Sequence, residues 1–149
     1  MSSVSPAAKL KLVVPINFSK KSELALDFAL KFSSNNNADV YLFHCIEAKA
    51  KDFSEFDRLN VEYMDRMKEA TLQSIDRLSA LGITPAVDSI HRRISRGKPA
   101  QEILQLTAGV SADMIIMGAV SNKSFKDLIQ QAPCTLVLVR EKDLEFVPS

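Results

Sequence analysis

The sequence predicts an α/β domain: an open five-stranded parallel sheet with helices on both faces. Two observations carry this. Short β-branched or apolar runs alternate with segments of helical periodicity in the order β-α-β-α-β-α-β-α-β. Most of those runs are near-continuously apolar, as befits strands covered on both faces, whereas strands with one wet face alternate. Size agrees, since 149 residues, 46% hydrophobic and 25% charged, suffice for one continuous core. The expected organisation is therefore a single domain over 1–149, with 1–8 as a frayed start and 141–149 as a tail.

Each element has its own signal. Leu10 to Ile16 is a short β-branched run bounded by Pro15 and Asn17, hence a buried strand. Ser19 is placed to cap the following helix, in which Leu24, Phe28 and Phe32 recur at a spacing of four beside Ala25 and Ala29. Asn35, Asn36 and Asn37 stop it. Val40 to Ile46 is the second strand. From about Asp52 to Leu81, the series Leu59, Tyr63, Met67, Ala70, Ser74, Leu78 and Leu81 traces one face of a long helix. Gly82 is its left-handed cap, with Pro85 beyond.

Ala86 to Ser95 is a weaker third strand, diluted by His91, Arg92 and Arg93. Pro99 suits the first turn of a helix whose buried stripe is Ala100, Ile103, Leu104 and Ala108, closed by Gly109. Met114 to Gly118 is the fourth strand. A short helix from about Ser124 to Gln131 leads through Pro133 to a fifth strand, Thr135 to Arg140. Ligands of such sheets bind outside the carboxyl ends of the strands, where strand order reverses.

Composition excludes several function classes. A net charge of +1 creates no global field for nucleic acid, membrane or acidic partners. Met1 to Ala8 carries no secretory pattern, and no apolar run approaches the roughly 20 residues that span a bilayer. Two cysteines, Cys45 and Cys134, are too few for a disulfide framework, so a cytoplasmic, reducing location is expected. With only His44 and His91 and no close cysteine pair, no metal site is expected.

Enzymatic motifs are missing too: no Gly-x-Ser-x-Gly elbow, Walker loop or dinucleotide fingerprint occurs. Asp52, Glu55, Asp57, Glu62, Asp65 and Glu69 are spread around early helical turns, which favours the helix dipole rather than paired acid-base work. His44 and Cys45 are strand neighbours and point to opposite faces, so they form no catalytic pair. Arg92, Arg93, Arg96 and Lys98 fall within seven residues. A nucleic-acid function would want aromatic residues among them to stack bases, and none are there. The expectation is no enzyme, no catalytic residue, no nucleic-acid partner and no membrane partner.

Four segments carry a resemblance to a known family. "KLVVPINFSKKSELALDFALKFS" is similar to the opening of universal stress proteins, whose first strand ends in Pro-x-Asp and runs into a Ser-containing helix start. "ADVYLFHCIE" resembles their second strand, "RGKPAQEILQLTAGVSADMIIMGA" their third helix and fourth strand, and "APCTLVLVR" their closing strand. The resemblance covers nearly the whole chain. It implies strand order 3-2-1-4-5 in an adenine nucleotide alpha hydrolase-like fold, which makes the third strand an edge and Arg92, Arg93, Arg96 and Lys98 its protection against unwanted pairing. It also implies a homodimer through the strand Thr135 to Arg140, which puts an apolar edge across a two-fold axis, in a stress-response module with a further protein partner.

Nucleotide-binding members of that family use an Asp after the first strand for the ribose. After the fourth strand they place Gly-x-x-Gly, nine residues, then Gly-Ser/Thr around the phosphates. Glycines let backbone N–H groups approach phosphate, and a helix N-terminus adds its dipole. Here Met117 and Gly118 match, but Ser121 and Gln131 stand at the second and third glycines and Asn17 replaces the Asp. The resemblance thus implies a degenerate loop that does not bind ATP in the usual way, and no cofactor. The alternative is an ATP- or AMP-responsive switch. In it Pro15, Cys45 and Met117 face adenine, Asn17 holds the ribose, and Ser121 to Ser124 serve phosphate by a shortened route. A third reading, a nucleotide hydrolase, has only Asp127 near Gly118 to offer. For the stretch Ser121, Asn122, Lys123 and Ser124, an ordinary N-cap by Asn122 or Ser124 competes with a residual anion site.

Overall fold

A computed structural model describes residues 9–47, 53–119 and 123–140. Its strands are β1 (Leu10–Pro15), β2 (Ala38–Glu47), β3 (Ile90–Gly97), β4 (Met114–Gly118) and β5 (Thr135–Val139). Its helices are α1 (Lys20–Asn35), α2 (Phe53–Ser79), α3 (Pro99–Val110) and α4 (Lys123–Gln131). All strand pairs are parallel, in the order β3-β2-β1-β4-β5. The order reverses between β1 and β4, so the expected crevice lies at the C-terminal ends of those strands.

Two apolar layers sandwich the sheet. One joins Leu12, Val14, Val40, Leu42 and Ile116 to α1 and α2 through Ala25, Leu26, Ala29, Leu30, Met67, Ala70 and Leu78. The other joins Val13, Phe43 and Ile115 to α3 and α4 through Ile103 and Leu128. Alternate residues of β1 thus serve opposite layers, as the two-residue period of a strand requires.

The local punctuation follows the chemistry of the chain. Ser19 caps α1, its Oγ accepting from Ser22 N at 3.3 Å. Pro99 opens α3. Gly82 takes φ +78° after α2, in the region where a Cβ is penalised.

Several boundaries differ from the sequence expectation. The third strand begins at Ile90 because Val87–Ser89 coil into a 3₁₀ turn, and it runs on to Gly97. Gly109 does not close α3; the helix continues to Val110, and Ser111 takes the left-handed position at φ 56°. Within α3 the buried face is Ile103 and Thr107, while Ala108 is exposed. The Thr107 hydroxyl tolerates burial because it donates to Ile103 O at 2.7 Å. The centre of the α1 face is Ala25, Leu26, Ala29 and Leu30, with Leu24, Phe28 and Phe32 only half-buried at its margin. Leu81 lies beyond the end of α2 and is 73% exposed. Arg140 follows β5 rather than belonging to it.

A buried polar clamp fastens α1 to α2. Asp27, at 9% exposure, receives Ser74 Oγ at 2.5 Å and both Arg77 Nε at 2.9 Å and Nη2 at 2.8 Å. A carboxylate inside an apolar helix face needs such partners, since burying an unpaired charge is costly. β3 forms one edge of the sheet, and Arg93 and Arg96 on it are exposed.

Candidate functional site

At the switch point the C-terminal ends of β1, β2 and β4 open into a cleft of about 620 Å³. That volume is in the range of small-molecule sites. Its floor is apolar, built from Phe43, Ile103, Met117 and Leu128. Pro15, Asn17, Cys45, Met117 and Gly118, five of the seven residues singled out from sequence, line it together. Ser121 lies outside the described residues, as does Asn122. Ser124 falls within α4, which starts one residue earlier than expected, at Lys123.

The β1–α1 turn forms one wall. Asn17 Oδ1 accepts from Ser19 N at 3.0 Å, Asn17 N donates to Ser22 Oγ at 3.3 Å, and Ser22 Oγ donates to Ser19 O at 2.9 Å. The Asn17 carbonyl is thereby used by the turn, and the exposed amide presents its Nδ2–H donors outward. Lys21 adds a cation on the same side. Gly118 has a steric reason to be glycine: a Cβ there would sit 2.8 Å from the Lys21 backbone. The end of β4 and the first turn of α1 are thus in direct backbone contact.

β2, paired to β1, supplies the adjoining wall. His44 and Cys45 do point apart, His44 toward α2 and Cys45 into the α3–α4 layer. Burial pushes the Cys45 thiol up to about 11, with the Glu102 and Glu47 carboxylates adding to it, and the thiol contacts Gly97 O at 3.4 Å. It is a protonated, packed thiol rather than a nucleophile. Cys134 is likewise half-buried, its pKa raised mainly by burial.

His44 Nδ1 lies 2.8 Å from Ile16 O. A carbonyl only accepts, so Nδ1 carries the proton and the neutral ring leaves Nε2 as an acceptor. Burial holds the His44 pKa below its usual value against the opposing Ile16 bond, and the nearby Arg66 charge lowers it further.

Around His44 stands a group that sequence reading missed. Phe18, a non-glycine residue at φ 65°, places its ring 5.0 Å from His44 and stacks on Tyr63 at 5.7 Å. His44 and Tyr63 lie 4.3 Å apart, centroid to centroid. Arg66 covers Phe18 at 4.1 Å and reaches Tyr63 at 5.2 Å. Tyr63 was legible only as one position of the α2 stripe. The signal for its second role was the spacing of Tyr63 and Arg66, which puts both on one helical face.

Only four residues, 119–122, join β4 to α4. Gln131 is the last residue of α4, about 12 Å along the helix axis from Lys123 at 1.5 Å per residue. Because β5 is parallel to β4, the end of α4 at Gln131 leads to the end of the sheet opposite the cleft. Among the described residues no group of three or more His, Cys, Asp or Glu is arranged to hold a metal. None of the described helices is long and apolar enough to cross a membrane.

An open, doubly wound α/β domain with its crevice at the β1/β4 switch point is the class that this architecture defines. The family model described as the Universal stress protein family matches residues 10–140, and the chain belongs to that family. A search of curated proteins finds no match. Among solved structures, the chain is similar to the universal stress protein UspA from Lactobacillus plantarum, at 18% identity and TM-score 0.66, covering 91% of this chain and 100% of that one. A universal stress protein in complex with cAMP aligns at 21% identity and TM-score 0.66, covering 89% and 98%. One from Archaeoglobus fulgidus in complex with dAMP aligns at 16% identity and TM-score 0.61, covering 88% and 97%. At these identities the likeness establishes the shared fold.

Proposed function

We propose that this protein is a non-catalytic, cytoplasmic stress-response module that binds partners as a homodimer and has lost the usual grip on ATP. The observation that carries the loss is the four-residue connection between β4 and α4. A spacer of nine residues between glycines cannot be wound around a triphosphate when the helix begins five residues after Gly118. The position of the last glycine is carried by α4 to Gln131, away from the cleft. Asn17 compounds this, offering a neutral donor where a carboxylate would accept from ribose hydroxyls.

Support for the dimer comes from β5. It is an edge strand of sequence TLVLV, with Leu138 37% exposed and Ile129 of α4 50% exposed. An apolar strand edge invites pairing, and a self-complementary two-fold contact closes it with one patch. Light scattering of the native protein should give twice the chain mass, and Leu138→Glu should give the chain mass. A wild-type monomer would rule the dimer out.

A second reading is favoured by the cleft itself, which keeps Pro15, Asn17, Cys45, Met117 and Gly118 around an open volume. Two of the similar structures are complexes with the monophosphates cAMP and dAMP. In this reading the cleft takes a nucleoside monophosphate such as AMP, with the phosphate near Lys21 and the start of α4, and acts as a switch. Thermal unfolding separates the two. ATP with Mg²⁺ should leave the midpoint unmoved, and a ligand at 100 times its dissociation constant would add about 2.7 kcal/mol. A shift with AMP alone selects the switch. A saturating shift with ATP overturns the proposed loss.

A further inference from the structure

We propose that the outer edge of β3 takes an added strand from a partner protein: an extended segment in which acidic and apolar side chains alternate. This deepens the partner-binding reading above and rests on it, but it requires neither the dimer nor a ligand in the cleft.

β3 is paired on one side only. Its residues are in register with β2, from Ile90 against Val40 to Gly97 against Glu47, and it ends the strand order. Among the described residues, no backbone group from His91 to Ser95 bonds outside the ladder with β2. Every second one therefore directs its N–H and C=O outward, which is a template for another strand.

Side chains select what can pair there. Ile90 and Ile94 pack in the α1–α2 layer, so Arg92 and Arg96 share that face by the two-residue period. Arg96 lies over the Phe56 ring of α2 at 6.0 Å. Arg93 faces the other way, over Tyr41 at 5.8 Å. Arg92 and Arg93 have no carboxylate partner among the described residues. Cations so close together on one edge repel a second copy of β3 and attract a segment that carries acids. The opposite edge, β5, reads TLVLV and offers no such attraction.

On the α3 side a groove of about 200 Å³ lies beside the strand, floored by buried Phe43 and bordered by Ser95, Glu102, Gln105 and Leu106. Ser95 Oγ donates to Glu102 Oε1 at 2.8 Å and holds that carboxylate at the groove wall. An acidic side chain entering here meets Glu102, whereas an aliphatic one covers Phe43 and Leu106. Acids thus belong on the Arg92–Arg96 face and an apolar residue in the groove. Successive strand residues point to opposite faces, so the two kinds alternate. Backbone bonds hold such a segment, and the groove chooses among segments.

The test uses the full-length protein and a blocked heptapeptide of alternating glutamate and valine. Amide exchange is followed by NMR, affinity by calorimetry, and mass by light scattering of the same samples. The peptide should slow exchange at alternate amides between His91 and Ser95. Raising salt from about 0.05 to about 0.5 M should weaken it severalfold. Arg92→Glu combined with Arg96→Glu should weaken it at least about tenfold, and lysine in place of its glutamates should abolish binding. No slowed amide in β3 overturns the proposal, as does protection confined to β5 or wild-type affinity in the double variant. Polyglutamate that binds as tightly, without amide protection, reduces the edge to a basic patch and also overturns it. β3 protection in a protein of single-chain mass keeps this site and sinks the dimer; a dimer without β3 protection sinks the site alone.

Discussion

Two side-chain groups tie α2 to the β1–α1 region, and they differ in what they leave open. At the C-terminal half of α2, Asp27 is closed off: Ser74 and Arg77 supply three hydrogen bonds to its two oxygens. Nearer its start, Phe18, His44, Tyr63 and Arg66 are mutually packed, yet His44 and Tyr63 still face an open cleft. The first group is saturated and therefore structural. The second is braced but unsaturated, which is the condition for binding something else. The lesson is that unspent hydrogen-bonding capacity at a rigid position, rather than the number of polar residues, marks a site.

The sharpest way to break this contrast is Asp27→Ala. It orphans the fully buried Ser74 hydroxyl and frees Arg77, so stability should fall by about 3 kcal/mol while cleft ligands bind the wild-type way once the protein is folded. Chemical denaturation measures the first and calorimetry the second. A large loss of ligand affinity would mean the clamp also positions the cleft.

Next is Gly118→Ala, which drives a methyl group into the Lys21 backbone at 2.8 Å. Overpacking of this kind costs about 1–3 kcal/mol, and it should disturb stability and the cleft together because the contact forms its wall. If neither changes, the close approach is soft and Gly118 has no packing role.

pH distinguishes the two groups through His44. Its folded pKa is lowered, first by burial and then by Arg66, so between that value and the unfolded value near 6.5 the unfolded chain holds more protons. The associated stability is fully present above pH 6.5 and is lost as pH falls through the folded pKa. The unfolding midpoint should therefore drop between pH 7 and pH 5, and His44→Asn should flatten that slope, whereas Asp27→Ala should leave this part of it in place. An unaltered slope in His44→Asn would assign the pH dependence elsewhere.

The smallest effect is expected from Arg66→Ala. Arg66 is exposed, and an exposed cation–π contact is worth about 0.5–1 kcal/mol. The variant should lose about that much stability and loosen the ring signals of Phe18 and Tyr63 in NMR spectra. A greater loss than in Asp27→Ala would reverse the ranking of the two groups.

Much of this was legible in the residues alone, for definable reasons. β4 was placed to the residue because MIIMG is continuously apolar and ends in glycine, and α1 began where Ser19 says it should. Such signals are local. Resemblance to universal stress proteins added the strand order, which periodicity alone leaves open, and gathered Pro15, Asn17, Cys45, Met117 and Gly118 into one cleft. The misplaced points share a cause as well. Gly109 has the composition of a helix stop, but burial of Thr107 and the turn at Ser111 carried α3 further. Val87–Ser89 have strand-like neighbours but lie ahead of the first residue paired to β2, Ile90, and so coil instead.

What the sequence determined by itself is the alternation of elements, their caps and the two-sided burial of the sheet, because these depend on spacings of two to four residues. What only the tertiary structure decided is which distant side chains meet. Asp27 finds Arg77 across 50 positions, and Phe18 finds Tyr63 across a strand and a helix. Gly118 is small because Lys21, far away in the chain, arrives against it. The apolar stripe of α2 could place Tyr63 on an inward face, but not beside an open cleft. That depended on where β2 ends, how Phe18 turns, and how few residues separate β4 from α4.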